Sequence, residues 1–170
     1  MIYLALGSNL SSSFGSRFKN INLAISYLKK NKIYVIKKSS FFETPSYPNK
    51  KNPKFINVVI SVRTKLTPTN LMNVLISIEK KLERKRAKKN DPRTCDIDII
   101  DFNKKILNFK FDNFKLNIPH NKLVHRNFVL YPLMEIAPKW KHPKTKVIIS
   151  SLIEKLSDID KNSILKIKKN

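Results

Sequence analysis

The chain has 170 residues, 41% of them hydrophobic and 28% charged, which suits a single domain spanning 1–170 with a core of its own. No apolar run approaches the ~20 residues that cross a bilayer, "MIYLALGSNL" lacks the basic start of a secretory signal, and Cys95, the one cysteine, excludes an internal disulfide. These features predict a cytoplasmic protein. The 35 Lys and Arg against 12 Asp and Glu give a formal charge of +23, but the lysines are scattered along the chain and single out no face.

In chain order, "IYLAL" predicts a short buried strand ended by Gly7, Ser8 and Asn9. Phe18, Ile21, Ile25 and Leu28 recur at helical spacing and predict a helix from Ser16 to Lys30. "IYVIKKSSFF" reads as one strand, and the three prolines of "ETPSYPNKKNP" exclude both helix and strand there. The β-branched "FINVVISVRT" predicts a central strand. Thr67-Pro68 opens a second helix whose buried stripe is Leu71, Val74, Leu75, Ile78 and Leu82. A basic run from Arg84 to Lys89 then leads to the strand "DIDIIDF", a minor hairpin near Lys104, a helix from about Arg126 to Ile136 and a short helix in "VIISSLIEKL". The order β-α-β-β-α-β predicts an α+β, ferredoxin-like core: a mainly antiparallel sheet with helices packed on it, followed by C-terminal helices.

Asp96 and Asp98 are the feature this basic chain has to explain. Alternate residues of a strand share a face, so the two carboxylates project together with Cβ atoms ~7 Å apart, while Ile97 and Ile99 enter the core. Pairing with two of the many lysines would account for them blandly. A hard-cation site accounts for them better, because Mg²⁺ takes one or two carboxylates and completes its shell with water and substrate phosphates. Arg84, Arg86 and Arg93 nearby supply guanidinium groups for phosphate oxygens. Metal beside guanidinium is the equipment of phosphoryl transfer. With Gly7 and Gly15 as the only glycines, a glycine-rich phosphate loop is excluded.

These segments resemble, in order along nearly the whole chain, the 6-hydroxymethyl-7,8-dihydropterin pyrophosphokinase family. The matching stretches are "ALGSNL", "SSFFETPSYP", "FINVVI", "IEKKLERKR", "DPRTCDIDII" and "IPHNKLVHRNFVLYPLMEIAP". The family signature Pro-Arg-x-x-Asp-x-Asp falls on Pro92, Arg93, Asp96 and Asp98. The resemblance implies transfer of pyrophosphate from ATP to the pterin hydroxymethyl group, with release of AMP, as a step of folate biosynthesis. It implies two Mg²⁺ ions on Asp96 and Asp98, with Arg84 and Arg93 neutralising the phosphates. Glu79 and Arg86 fall at nucleotide-contacting positions, and His120 and Arg126 at triphosphate contacts. Phe55 and Phe128 match the rings that sandwich the pterin. Asn57, Thr44, Pro45 and Tyr47 match the contacts to its edge. No residue in these motifs is an obvious general base.

The chain departs from the pattern at Asp91, where a small residue is usual, at Asn121, and in the lysine-rich loop 85–92 that family members close over ATP. These departures bear on rate and affinity. His142 reads as a surface histidine, and Cys95 as a small buried side chain turned away from the acid pair. The rival from another class is a basic nucleic-acid-binding module on the same topology, using Phe55 or Phe128 as stacking platforms. Asp96 and Asp98 argue against it, because without metal they repel phosphates. The expected partners are therefore small molecules, without membrane or specific nucleic-acid binding, acting on a monomer.

Overall fold

A computed structural model describes residues 1–85, 91–111 and 114–167. The strands are β1 (Ile2–Ser8), β2 (Tyr34–Lys38), β3 (Phe42–Thr44), β4 (Phe55–Arg63), β5 (Asp96–Phe102), β6 (Leu107–Phe111), β7 (Phe114–Ile118) and β8 (Leu165–Lys166). The helices are α1 (Arg17–Lys30), α2 (Pro68–Lys81), α3 (Asn127–Ile136), α4 (Ile149–Glu154) and α5 (Asp158–Asn162). The main sheet runs β5-β1-β4-β3-β8, with β2 also on β4, and every pairing is antiparallel. This is the expected ferredoxin-like order, with β6 and β7 forming the separate hairpin.

Helix starts follow local chemistry. The Ser16 side chain accepts the Lys19 N–H to cap α1, and Thr67 does the same for Asn70 ahead of Pro68 in α2. The single strand expected over "IYVIKKSSFF" is two. β2 and β3 pair with successive stretches of β4, and Ser39 spans the break: its N–H donates to Val59 O and its Oγ accepts from Val59 N, both at 3.0 Å. Glu43 and Thr44, expected outside any strand, belong to β3. They precede Pro45 and so keep the N–H groups that pairing needs.

The pleat sorts side chains into two cores. Leu4, Leu6, Val58, Ile60, Ile97 and Ile99 meet Ile21, Ala24 and Leu28 of α1 and Leu71, Leu75 and Ile78 of α2. On the opposite face Val59 and Ile100 meet Val129, Leu130 and Leu133 of α3, with Trp140, Ile149 and Leu152 beyond. Asp96 and Asp98 belong to this second face.

A one-residue register shift between Tyr3 and Leu4 in the β1–β5 pairing bulges β5. Asp101 is fully buried there; it accepts the Trp140 Nε1–H and the Lys104 N–H, both at 2.8 Å. Burial, reinforced by Asp101, pushes the Tyr3 hydroxyl pKa up. His142 is not a surface histidine. It is 8% exposed, packs edge-on against Trp140, and its Nδ1 accepts the N–H groups of Lys144 and Thr145. Burial holds its pKa below the ordinary value, so the ring is neutral. Asp101→Ala would strand two donors and should cost about 2–3 kcal/mol, read as a lower urea midpoint. An unchanged midpoint would show that Asp101 does not anchor the Trp140 segment.

Candidate active site

The site occupies one end of the α3-side face of the sheet. Asp96 lies beside Gly7, Gly7 beside Asn57 and Asn57 beside Phe42, while Asp98 lies beside Ala5 and Ala5 beside Val59. Directly opposed residues point to one face, so the carboxylates of β5 and the amide of β4 are separated by the two smallest side chains of β1. At ~4.8 Å per strand, Asp96 and Asn57 lie roughly 10 Å apart across a low floor. A Cβ on Gly7 would meet Asn57 Oδ1 at 3.1 Å and Phe55 Cδ1 at 3.5 Å. The sequence carried this signal in the phase of Ala5 and Gly7.

Three arginines reach the acid pair from three directions. Arg84 follows α2, which ends in a left-handed turn at Glu83, φ 64°. The Arg84 N–H bonds to Glu79 O and the Glu83 N–H to Lys80 O, closing a Schellman cap that aims Arg84 inward. Its guanidinium contacts Glu79 Oε1 and lies 2.6 Å from Asp96 Oδ1. Burial alone would lower the Arg84 pKa, but Asp96 and Glu79 outweigh it and raise it, so the charge is permanent. Arg93 reaches Asp96 Oδ2 at 2.8 Å, and Arg126, just before α3, reaches Asp98 Oδ2 at 2.9 Å.

The supports behind these groups were less legible. Glu79, expected at the nucleotide, is 3% exposed and stands behind Arg84, accepting the Ile97 N–H at 2.8 Å. Its carboxylate faces Arg84 and β5 and is turned away from solvent. Asn9 fixes Arg93: its Oδ1 accepts the Arg93 N–H at 2.7 Å, and the N–H groups of Asn9 and Leu10 donate to Arg93 O. Its amide also donates to Ser46 Oγ and Pro53 O, tying down the proline-rich loop. Asn127 bonds to Asp160 O and Ser163 Oγ, so α5 braces the start of α3 that carries Arg126 and Phe128. Neither asparagine was picked out as a site residue from the sequence. Only long-range pairing shows what they do.

His120 lies with its Nε2 4.0 Å from Asp98 Oδ2. Its Nδ1 accepts the Lys122 N–H, leaving Nε2 as the protonated nitrogen of a neutral ring, and burial lowers its pKa. Asn57 donates to Thr44 Oγ1 at 3.0 Å, and both are 4% exposed. Phe55 lies under the Arg93 guanidinium and Phe128 under that of Arg126, at 5.9 and 5.4 Å from their ring centroids. Pro45 is half-buried beside Thr44, whereas Tyr47 is 88% exposed. Cys95 is buried, and burial pushes its thiol pKa far up, which leaves it inert. Arg86 and positions 87–90 lie outside the described residues.

The sequence matches the model of the 7,8-dihydro-6-hydroxymethylpterin-pyrophosphokinase (HPPK) family over residues 3–138. The chain belongs to this family. A 2-amino-4-hydroxy-6-hydroxymethyldihydropteridine pyrophosphokinase of Haemophilus influenzae is 32% identical over 156 residues, covering 92% of each chain. The folic acid synthesis protein fol1 of Pneumocystis carinii is 38% identical over 164 residues, 96% of this chain but 21% of that one. The HPPK chain thus spans about a fifth of that relative and nearly all of the bacterial one. A crystal structure of Plasmodium falciparum HPPK-DHPS with pterin and p-hydroxybenzoate superposes with a TM-score of 0.75 at 18% identity, over 99% of this chain and 47% of that one. That likeness establishes a shared fold.

The donor set fits a hard divalent cation. Asp96 and Asp98 keep 26% and 34% of their side chains exposed, so water and phosphate oxygens can complete a shell around an ion held there. Among the described residues no cluster of three or more His, Cys, Asp or Glu side chains forms an all-protein cage. Gly7→Ala tests the slot between the acid pair and Asn57. It should weaken pterin binding about tenfold through overpacking against Asn57, leaving affinity for an ATP analogue unchanged. Calorimetry with each ligand separates the two, and an unchanged pterin affinity would place that ligand elsewhere.

Proposed function

We propose that this HPPK chain transfers pyrophosphate from ATP to the hydroxymethyl group of 6-hydroxymethyl-7,8-dihydropterin and releases AMP, a step of folate biosynthesis. The observation that carries the reading is the shared sheet face. A carboxylate pair contacted by three arginines and a buried amide flanked by Phe55 stand two strands apart on that face, where a triphosphate held at the first and a pterin held at the second would be neighbours. Asp96 and Asp98 would hold Mg²⁺, two ions in our reading. Bound metal would neutralise triphosphate charge and activate the alcohol.

The chain's own groups supply the rest. Arg84 and Arg93 hold the triphosphate from the α2 side, Arg126 from the α3 side, and Arg86 adds a further nucleotide contact. His120 donates its Nε2–H to a phosphate oxygen. Glu79 acts by orienting Arg84. Phe55 and Phe128 stack on the pterin faces, with Asn57, Thr44 and the backbone of Pro45 and Tyr47 along its edge. Fixing both reactants on one rigid sheet supplies much of the rate enhancement, because phosphoryl transfer is largely positioning.

No helix among the described residues is long and apolar enough to cross a membrane. The reading keeps a monomer in the cytoplasm, with small molecules as its partners. The nucleic-acid alternative gains no support from the family match. Pterin-dependent AMP formation from ATP and Mg²⁺ tests the proposal. AMP in step with pterin consumption is the expected result, and ADP as the nucleotide product, or none from folded protein, would overturn it.

A further inference from the structure

We infer that the end of the sheet away from the acid pair carries a docking surface for an anionic lipid bilayer, built from two lysine-bearing turns that Asp101 holds side by side. In the sequence Lys104 and Lys105 lie far from "KWKHPKTK", and nothing joins them. In the fold one buried carboxylate does: Asp101 Oδ1 accepts the Lys104 N–H and Oδ2 the Trp140 Nε1–H, both at 2.8 Å. Lys104, Lys105, Lys139, Lys141, Lys144 and Lys146 are all exposed around that anchor. None of them pairs with a carboxylate among the described residues, and the Lys146 ammonium donates to Pro143 O.

Both turns are closed by their own hydrogen bonds. The Lys105 N–H donates to Phe102 O, and Asn103 and Lys104 between them are left-handed, with φ of 53° and 60°. In the second turn the His142 N–H donates to Val147 O and the Lys146 N–H to His142 O, while His142 Nδ1 accepts the N–H groups of Lys144 and Thr145. Lys104 and Lys146, the latter with φ 61°, stand in left-handed positions that glycine takes more easily. The polar backbone of these turns is spent within the fold, and ammonium groups are what they turn to solvent.

A bilayer suits this surface better than a nucleic acid does. Lysine ammoniums are compact point charges matched to a diffuse layer of anionic headgroups, whereas nucleic acids are gripped by arginine forks and aromatic platforms. The aromatic rings here, Trp140 and His142, are buried. Ile106 directly follows Lys105 and is 58% exposed, and Met1, whose carbonyl accepts the Asn103 N–H, is 50% exposed. Apolar side chains beside lysines enter the headgroup layer and add to the electrostatic attraction. Asp101 lies roughly 15 Å along β5 from Asp96, so a bilayer at this end leaves the acid pair open to its ligands. The chain would lie on the membrane surface without crossing it.

Co-sedimentation of the full chain with vesicles is the test. The chain should bind vesicles of about 30% phosphatidylserine in phosphatidylcholine, stay in solution with phosphatidylcholine alone, and leave the vesicles as salt rises from about 0.1 to about 0.5 M. Lys141→Glu with Lys144→Glu should weaken binding by about tenfold or more. Lys29→Glu with Lys30→Glu makes the same charge change at the exposed end of α1 and should weaken it by less than about threefold. Ile106→Asn changes no charge and should weaken it by about threefold. Thermal melts at the wild-type midpoint show that each variant is folded. Equal losses in the two double variants would reduce the binding to net charge and overturn the inference, as would equal binding to both kinds of vesicle. Vesicle binding unchanged in Ile106→Asn, or mixed-sequence RNA that binds through Lys141 and Lys144 where vesicles do not, would give the surface to a soluble polyanion instead.

Discussion

Asp98→Asn should lower pterin-dependent AMP formation by about a thousandfold and leave the fold in place. Asparagine keeps the shape of the side chain but loses the charge that would hold a cation and balance Arg126. Transition-state charge stabilisation by a bound metal is worth several kcal/mol, and about 4 kcal/mol corresponds to that loss of rate. Stability should change by less than about 1 kcal/mol, because the Asp98–Arg126 pair is partly exposed, with side chains 34% and 23% accessible. Thermal melts and single-turnover kinetics read the two effects separately. Activity within tenfold of wild type would remove Asp98 from the reaction.

The largest stability effect belongs to Glu79→Ala. Glu79 and Arg84 are 4% and 11% accessible at their side chains, so removing the carboxylate leaves a largely buried guanidinium undercompensated and the Ile97 N–H without its acceptor. Breaking one side of such a pair costs about 3–5 kcal/mol, a large share of the stability of a domain this size. Urea unfolding should show the loss directly. Glu79→Gln, which retains an acceptor for Ile97, should lose less. If Glu79→Ala unfolds at the wild-type midpoint, Glu79 does not hold Arg84 and β5 together.

The contrast between these two acids shows how far sequence reading reaches. Asp98 was legible because strand period and local charge pattern are local properties: alternate residues of "DIDIID" share a face wherever that strand lies. The starts of α1 and α2 followed from similarly local signals, and the strand order from the succession of elements along the chain. The phase of α2 puts Glu79 at the edge of its buried stripe, but its contact with Arg84 was not legible, because that depends on the left-handed turn at Glu83 that ends the helix. Asn9, His142 and the β5 bulge at Ile100 were hidden as well. Asn9 and the bulge take their roles from partners far along the chain, at Arg93 and Tyr3, and His142 from its packing on Trp140, which is itself held by distant Asp101. The break at Ser39 was missed because a serine that pairs through its own side chain looks like any other polar residue between strands.

The most direct test of the central claim, that one sheet face brings both reactants together, is anomalous diffraction from crystals of the full chain with Mn²⁺, a non-hydrolysable ATP analogue and the pterin. Manganese density between Asp96 and Asp98, with the pterin against Asn57 between Phe55 and Phe128, is the predicted result. Manganese bound away from that pair, or a pterin bound on another face of the molecule, would contradict it.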